Sequence, residues 1–304
     1  MTDAPLTPED EYDEILAEEQ VYYVEVTDVT KIAPQRVVSL VPAVTETLFD
    51  LGFEKQLVGI TDNCLHPLGK LGGKKRLGEI DHIRIEDVIA LRPDLVIGNR
   101  EENTPQDLDE LEAAGLLVWR TFPRSVLEAV NLIWDTLHAF MEDDRMQYEK
   151  VNLINRTFDW VSEASLAKEH VICKVFVPIL KTPLTSFSAD TYTHDLIRVC
   201  GGTNVFGDRR GEPTSDDPAQ DLGRYVIVTL DEVIAAQPDI VILPAAPYDF
   251  TEADVDAYLQ LDIPAAKTGN VFLIEGTLLT YHGTRLARAL NEISSLMCEE
   301  ESPQ

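Results

Sequence analysis

Basic residues are scarce in this 304-residue chain: 25 Lys and Arg stand against 54 Asp and Glu, for a net charge of −29. A field of that sign repels the phosphates of nucleic acid and of anionic lipid, which excludes both as partners. Glycine-rich phosphate turns are also missing. The stretch "VVSLVPAVTETLFDLGF", Val37 to Phe53, has the strand–turn–helix outline of one. Yet Pro42, Ala43 and Val44 occupy the places where close backbone approach needs glycine. Cysteine is limited to Cys64, Cys173, Cys200 and Cys298, dispersed and without a CxxC pair. That pattern predicts reduced thiols and no structural zinc. No apolar run approaches ~20 residues, so no membrane insertion is expected. The first 20 residues, "MTDAPLTPEDEYDEILAEEQ", contain neither a basic n-region nor an apolar h-region, and no lipobox cysteine. As written, the chain is expected in the cytoplasm; a periplasmic or extracellular place is expected if it is a trimmed mature form.

What is present is an ordinary globular composition, 44% hydrophobic, arranged as strands alternating with helices from Arg36 onward. This alternation predicts an α/β fold with parallel sheet. An internal repeat decides the architecture. "RIEDVIALRPDLVIG" begins at Arg84 and "TLDEVIAAQPDIVIL" begins at Thr229, each reading as a short helix, a Pro-Asp break and a buried strand. Upstream, "TETLFDLG" matches "THDLIRVCG"; downstream, "TPQDLDELEAAG" matches "TEADVDAYLQLD". One supersecondary set used twice predicts two similar lobes. The predicted boundaries are an acidic extension with a leading strand "VYYVEVT" over 1–35, an N-terminal lobe over 36–124, connecting helices over 125–169, a C-terminal lobe over 170–298 and a tail over 299–304. The second connecting helix is expected to run ~24 residues, long enough to bridge two lobes, with Asp143 or Asp144 as its cap.

Ligands of open α/β sheets bind beyond the carboxyl ends of the strands. The loops that feed such a cleft are "PAVTE", "TDNCLHP" and "NREEN" from the first lobe. From the second they are "KTPLTSFSADTYTHD", "RRGEPTSDDPAQDLGRY", "PAAPYDF" and "GTLLTYHGTR". Their Tyr, His, Asn, Thr and Arg suit binding, and no nucleophile–base pair or HExxH motif accompanies them. Tyr192, Tyr225, Tyr281 and His282 are expected to line the cleft with His66 opposite, because tyrosine offers a broad stacking face plus a hydroxyl. Thr45 is expected at a cleft edge as a helix cap. Arg285 is placed either on an anionic group or in a pair with Glu102. Glu101, Glu102 and Asn103 are read as ligand contacts or as a solvated acidic loop. Asn204 is expected to order its own turn, and "CGG" to end a helix. His66, His194 and His282 sit on three predicted cleft loops and are the candidate metal or axial ligands, each also readable as a loop residue.

Taken together, "RVVSLVPAVTETLFDLGF", "RPDLVIGNREENTPQDLDELEAAGLLVW", "VCGGTNVF", "PDIVILPAAPYDF" and "YHGTR" resemble the helical-backbone solute-binding proteins of ABC importers. That family includes receptors for vitamin B12, haem and ferric siderophores, and the wording is closest to a branch labelled cobalamin-binding or iron-complex-binding, several of whose members lack a signal peptide. The resemblance spans residues 36 to about 297. It implies two Rossmann-like lobes, one long connecting helix, small closure, and a metal-chelate or corrinoid ligand such as cobalamin, haem or an iron chelate, with no catalytic residues. Asn63 and Ile80 stand where the B12 receptor has aromatics, Leu278 replaces another, and Tyr225 retains one. The resemblance further implies docking to an importer permease through Glu86 and Asp231, which share a slot in the two repeats; near the start of a helix, each is also readable as compensation of the helix dipole. The alternative is a cytosolic tetrapyrrole-metal chelatase on a similar scaffold, using His66, His194 or His282 as base and metal ligand.

Overall fold

The computed structural model describes residues 33–140, 145–167, 173–211, 223–245 and 248–297. The acidic N-terminal stretch, the leading strand, Asp143 and Asp144 lie outside the described residues. In the first lobe, β1 (Val37–Ser39), β2 (Leu57–Ile60), β3 (Lys75–Arg76), β6 (Leu95–Asn99) and β7 (Val118–Thr121) form a parallel sheet in the order β3-β2-β1-β6-β7. A small hairpin of β4 (Gly78–Glu79) and β5 (His82–Ile83) stands beside it. The first-lobe helices are α1 (Pro42–Asp50), α2 (Ile85–Ala90) and α3 (Pro105–Ala113). In the second lobe, β8 (Lys174–Phe176), β11 (Thr203–Asn204), β13 (Ile240–Pro244) and β14 (Val271–Ile274) pair in parallel in the order β11-β8-β13-β14. The protein is thus α/β with two lobes of one design.

The repeat is realised in detail. α2 and β6 recur 145 residues later as α7 (Leu230–Ala236) and β13, and both strands lie inside their sheets with every residue buried. Arg92 and Gln237, one residue ahead of each Pro-Asp, are both in the left-handed region, at φ of 47° and 50°. The Asp of each copy has the same task. Asp94 accepts from the backbone N–H of Gln35 and Arg36 at 2.8 and 3.0 Å, and Asp239 accepts from that of Lys174 at 2.9 Å. Each carboxylate thereby satisfies backbone donors at the start of the neighbouring strand, β1 or β8.

Between the lobes run α4 (Val126–Phe140) and α5 (Arg145–Leu166). The 22 residues of α5 span roughly 33 Å at 1.5 Å per residue. Buried side chains of α5, Val151, Ile154 and Val161, join a hydrophobic cluster that also holds Val37, Leu95 and Ile97 of the first lobe and Val175, Ile240, Leu286 and Leu290 of the second. The two lobes therefore share one apolar core through the connecting helices. The remaining second-lobe helices are α6 (Tyr192–Val199), α8 (Glu252–Tyr258), α9 (Pro264–Thr268), α10 (Thr277–Thr280) and α11 (Leu286–Ser294). Among the described residues no helix is long and apolar enough to cross a membrane.

Three expectations need correction. The turn after β1 is not a loop: α1 starts at once, with Pro42 at its first position, where a missing N–H costs nothing. Val41 is the cap residue, and Thr45 lies inside the helix. The stretch expected as one long loop after β8 folds into β9 (Leu180–Lys181) and β10 (Leu184–Phe187), an antiparallel pair whose β10 also pairs antiparallel with β12 (Tyr225–Ile227). Finally, Cys173 is disulfide-bonded, so the four thiols are not all reduced. Cys64 and Cys200 are free and buried, and Cys298 lies outside the described residues.

Candidate functional site

The carboxyl ends of the parallel strands bring both lobes to one boundary. After β6, Asn99 and Asn103 bracket a tight loop. The Asn99 side-chain carbonyl accepts from the backbone N–H of Glu101 and Glu102 at 2.8 and 3.1 Å. Asn103 returns to the Asn99 backbone N–H at 2.8 Å and donates to the Ile80 carbonyl at 2.8 Å. The loop is held from both ends, so its two carboxylates project at a fixed place. Asn103 is 3% exposed and saturated by these bonds, which makes it a bracket rather than the expected ligand contact.

Glu101 crosses to the second lobe. Its Oε1 accepts from the hydroxyl of Tyr225 and lies 3.0 Å from Nη1 of Arg224. Tyr225 is 42% exposed. Arg224 is buried, with its guanidinium 4.8 Å from the centroid of Phe122, the residue directly after β7. Arg100 and Arg124 flank the same ring at 5.5 and 5.7 Å.

Glu102 points to a different partner. Its Oε1 lies 4.0 Å from Nε2 of His282, too far for a direct hydrogen bond. His282 is 6% exposed; its other ring nitrogen is hydrogen-bonded to the Thr280 backbone, and Nε2 has no hydrogen-bond partner. Burial holds its imidazole down at about 4, so it is neutral at physiological pH. Burial, followed by the charge of Glu101, pushes the Glu102 carboxyl up to about 8. The pair thus presents a protonated acid and an unprotonated nitrogen toward each other. Tyr281 stands edge-on to His66 with ring centroids 6.5 Å apart, and Tyr192 edge-on to His282 at 6.1 Å. Tyr248 packs on Gly276, where any Cβ would fall 2.4 Å from the ring and 2.6 Å from the Ala245 carbonyl. Glycine is required there for the aromatic to reach the boundary.

The structure sorts the sequence-predicted residues into two groups. His66, Glu102, Tyr225, Tyr281 and His282 meet at the boundary, with Tyr192 behind His282. The other candidates are engaged with partners inside the protein. Thr45 is fully buried, bonded to Ser39 at 2.9 Å and in contact with Cys64 at 3.1 Å. Asn63 accepts from the Ile80 backbone at 2.7 Å and so ties the β2 loop to the β4–β5 hairpin. His194 packs beneath Gly207 and contacts Asn204 at 3.4 Å. Arg285 pairs with Glu46 and Glu275, not with Glu102. Leu278 is a core residue, 1% exposed. Asn204 does order its own turn, accepting from the Phe206 N–H at 3.0 Å, and "CGG" does end a helix, with Gly201 left-handed at φ 94°. The three histidines are not gathered, and among the described residues no group of three His, Cys, Asp or Glu side chains could hold a metal ion. Arg224, Phe122 and Tyr248 were not singled out from the sequence. An aromatic followed closely by arginine after a strand, as in "TFPR", was the available signal.

A family model described as periplasmic binding protein matches residues 37–277. The chain belongs to that family. A vitamin B12-binding protein of Vibrio parahaemolyticus is 23% identical over 261 residues, which covers 85% of this chain and 88% of that protein. Among solved structures, the periplasmic vitamin B12-binding protein of Vibrio cholerae superposes with a TM-score of 0.71 at 18% identity, covering 87% of this chain and 96% of that one. A periplasmic heme-binding protein from Pseudomonas aeruginosa gives a TM-score of 0.66 at 23% identity, with coverages of 89% and 95%. These structures share the two-lobed α/β fold described above.

Proposed function

We propose that this protein is a receptor for a metal-chelate macrocycle, a corrinoid or haem, held between the lobes. The observation that carries the reading is the boundary itself, where Tyr225, Tyr248, Tyr281 and His66 gather near the neutral Glu102–His282 pair. Aromatic walls with few convergent polar groups suit a flat ring that carries polar substituents. The names of the relatives, vitamin B12-binding and heme-binding, support the same ligand class. The test is direct. The purified protein is titrated with cyanocobalamin and with haemin while absorption in the visible is recorded. Saturable binding of one ring is expected, and failure of both refutes the ligand class.

We also read the protein as one that works outside the cytoplasm with an importer. A disulfide at Cys173 favours an oxidising compartment, and the relatives are described as periplasmic. Glu86 and Asp231 are the exposed second residues of α2 and α7, with no ion-pair partner among the described residues. Their neighbours are engaged: Asp87 with Arg84 at 3.0 Å, Glu232 with Arg209 at 2.6 Å. Two free carboxylates in equivalent slots suit a twofold permease carrying arginines. Glu86→Lys with Asp231→Lys is expected to abolish uptake in cells while ring affinity in solution holds. Uptake at the wild-type rate would refute the docking role.

A further inference from the structure

The proposed function leaves the contact between Glu101 and the second lobe unexplained. Two donors from Arg224 and Tyr225 converge on one carboxylate oxygen of the opposite lobe. Arg224 is 6% exposed, an unusual burial for a guanidinium, and its charge has no other acidic neighbour within ion-pair distance among the described residues. The 3.0 Å contact of Nη1 with Glu101 is not angled as a hydrogen bond, so Nη1 is buried with its donor capacity unspent. Beneath it lies the Phe122 ring, with Arg100 and Arg124 on the same aromatic. Arg124 is itself paired with Asp190 at 3.0 Å. In a chain with 25 basic residues and a net charge of −29, three arginines around one ring form a concentrated cationic spot. A buried arginine, a phenolic hydroxyl and an aromatic floor are the parts of a site for a planar carboxylate or a phosphate.

Resting on the reading of the cleft as a ring-binding site, we infer that Glu101 is an internal occupant of an anion subsite formed by Arg224 and Tyr225, and that an anionic substituent of the incoming ligand displaces it. The subsite selects ligands that carry a carboxylate or phosphate at the ring edge, and Glu101 competes with them. Glu101 can release because its side chain is 24% exposed and its loop is anchored independently of the contact, by Asn99 and Asn103. Arg224 cannot follow it out, being buried in its own lobe. Burial, then the charge of Glu101, raises the Tyr225 hydroxyl well above its ordinary range, so it remains a donor for whichever anion is present. A state in which Glu101 holds the site is not competent for the anionic ligand, and its population reduces the apparent affinity in proportion.

The test uses two ligand pairs that differ only in charge at the edge: haemin with its dimethyl ester, and cobinamide phosphate with cobinamide. Wild-type protein is expected to bind the anionic member of whichever pair it accepts at least about 10-fold more tightly. Glu101→Gln is expected to tighten that member roughly 5-fold or more and to leave the neutral member unchanged. Arg224→Met should remove the preference. Tyr225→Phe, which keeps the ring and the fold, should reduce it should Arg224→Met fail to fold. Equal affinity for both members of the accepted pair, or a Glu101→Gln variant that binds the anionic member no better than wild type, overturns the proposal. If neither ring family binds, the ring-receptor reading falls while the subsite is tested alone with inorganic phosphate. Binding to Glu101→Gln that is lost in Glu101→Gln with Tyr225→Phe sustains it, and no phosphate binding overturns it.

Discussion

Two of the contacts between the lobes are built on opposite terms. At the rear, Arg285 grips the Glu46 carboxylate with two bonds of 2.9 and 2.7 Å, its side chain 8% exposed and that of Glu46 14%. Its Nη1 donates to Thr277 at 2.8 Å and to Glu275, and the guanidinium lies over the Tyr281 ring at 5.3 Å. Next to it, the Gly283 backbone presses on α1 so closely that a Cβ would fall 2.2 Å from the Thr47 hydroxyl and 2.8 Å from the Ala43 carbonyl. Thr284 adds bonds to Thr47 and Asp50 at 3.1 and 2.6 Å. At the front, by contrast, Glu101 touches Arg224 and Tyr225 from a half-exposed loop. The rear contact is saturated, buried and backbone-tight, while the front one is a single carboxylate with an unspent donor opposite it. A seam of the first kind fixes lobe geometry; a latch of the second kind can be exchanged for a ligand.

The comparison is broken most directly by removing each charge in turn. Arg285→Met strands the Glu46 carboxylate in a largely buried place and is expected to cost about 3–5 kcal/mol in urea unfolding. Glu101→Gln leaves the buried guanidinium of Arg224 without a carboxylate but keeps an amide oxygen against it, and is expected to cost about 1–2 kcal/mol. Comparable losses from the two would mean that the front contact holds the lobes together as the rear one does, and the latch would then be a second seam.

The difference also explains what was legible in the sequence. The repeat could be read because its causes are local: Thr104 and Thr251 cap α3 and α8 through carboxylates or N–H groups three residues on, and Asp94 and Asp239 act from fixed places beside a proline. Such signals survive in a linear text because the partners are close or the pattern recurs. The rear seam joins residues 239 positions apart, Glu46 and Arg285, and no periodicity marks them. The sequence therefore leaves Arg285 open between an anionic group and Glu102, and neither reading reaches Glu46. Thr45 was misread for a related reason. A threonine near a strand–helix junction suggests a cap, but proline at the first helical position moves the junction back to Val41 and draws Thr45 into the core. The cleft aromatics were legible as residue types on strand-end loops. Their division into wall, floor and core was not, because it depends on glycines such as Gly276 that admit or exclude a ring.

The smallest expected effect probes the front of the molecule through pH. Glu102 is held at about 8 by burial and then by the charge of Glu101, against an ordinary value of 4.5. Between those values the folded protein keeps a proton that the unfolded chain has released, so this group's contribution to stability falls as pH rises and is fully lost only above about pH 8. His282 acts in the opposite sense. Its folded value of about 4 lies below the ordinary 6.5, so its penalty is felt on acidification and is nearly absent above pH 7. Thermal unfolding from pH 7 to 8.5 therefore isolates the carboxyl. Over that window the wild type should lose roughly 2–4 °C more than Glu102→Gln, whose amide has no proton to release. Glu101→Gln should show a smaller drop than the wild type, because removing the neighbouring charge lets Glu102 ionise in the folded state at lower pH. Parallel curves for wild type and Glu102→Gln would show that Glu102 is already ionised at neutral pH, and the neutral acid facing His282 would have to be abandoned. If Glu102→Gln flattens the curve and Glu101→Gln does not, the two carboxylates are uncoupled, and displacement of the latch would leave the floor of the cleft as it was.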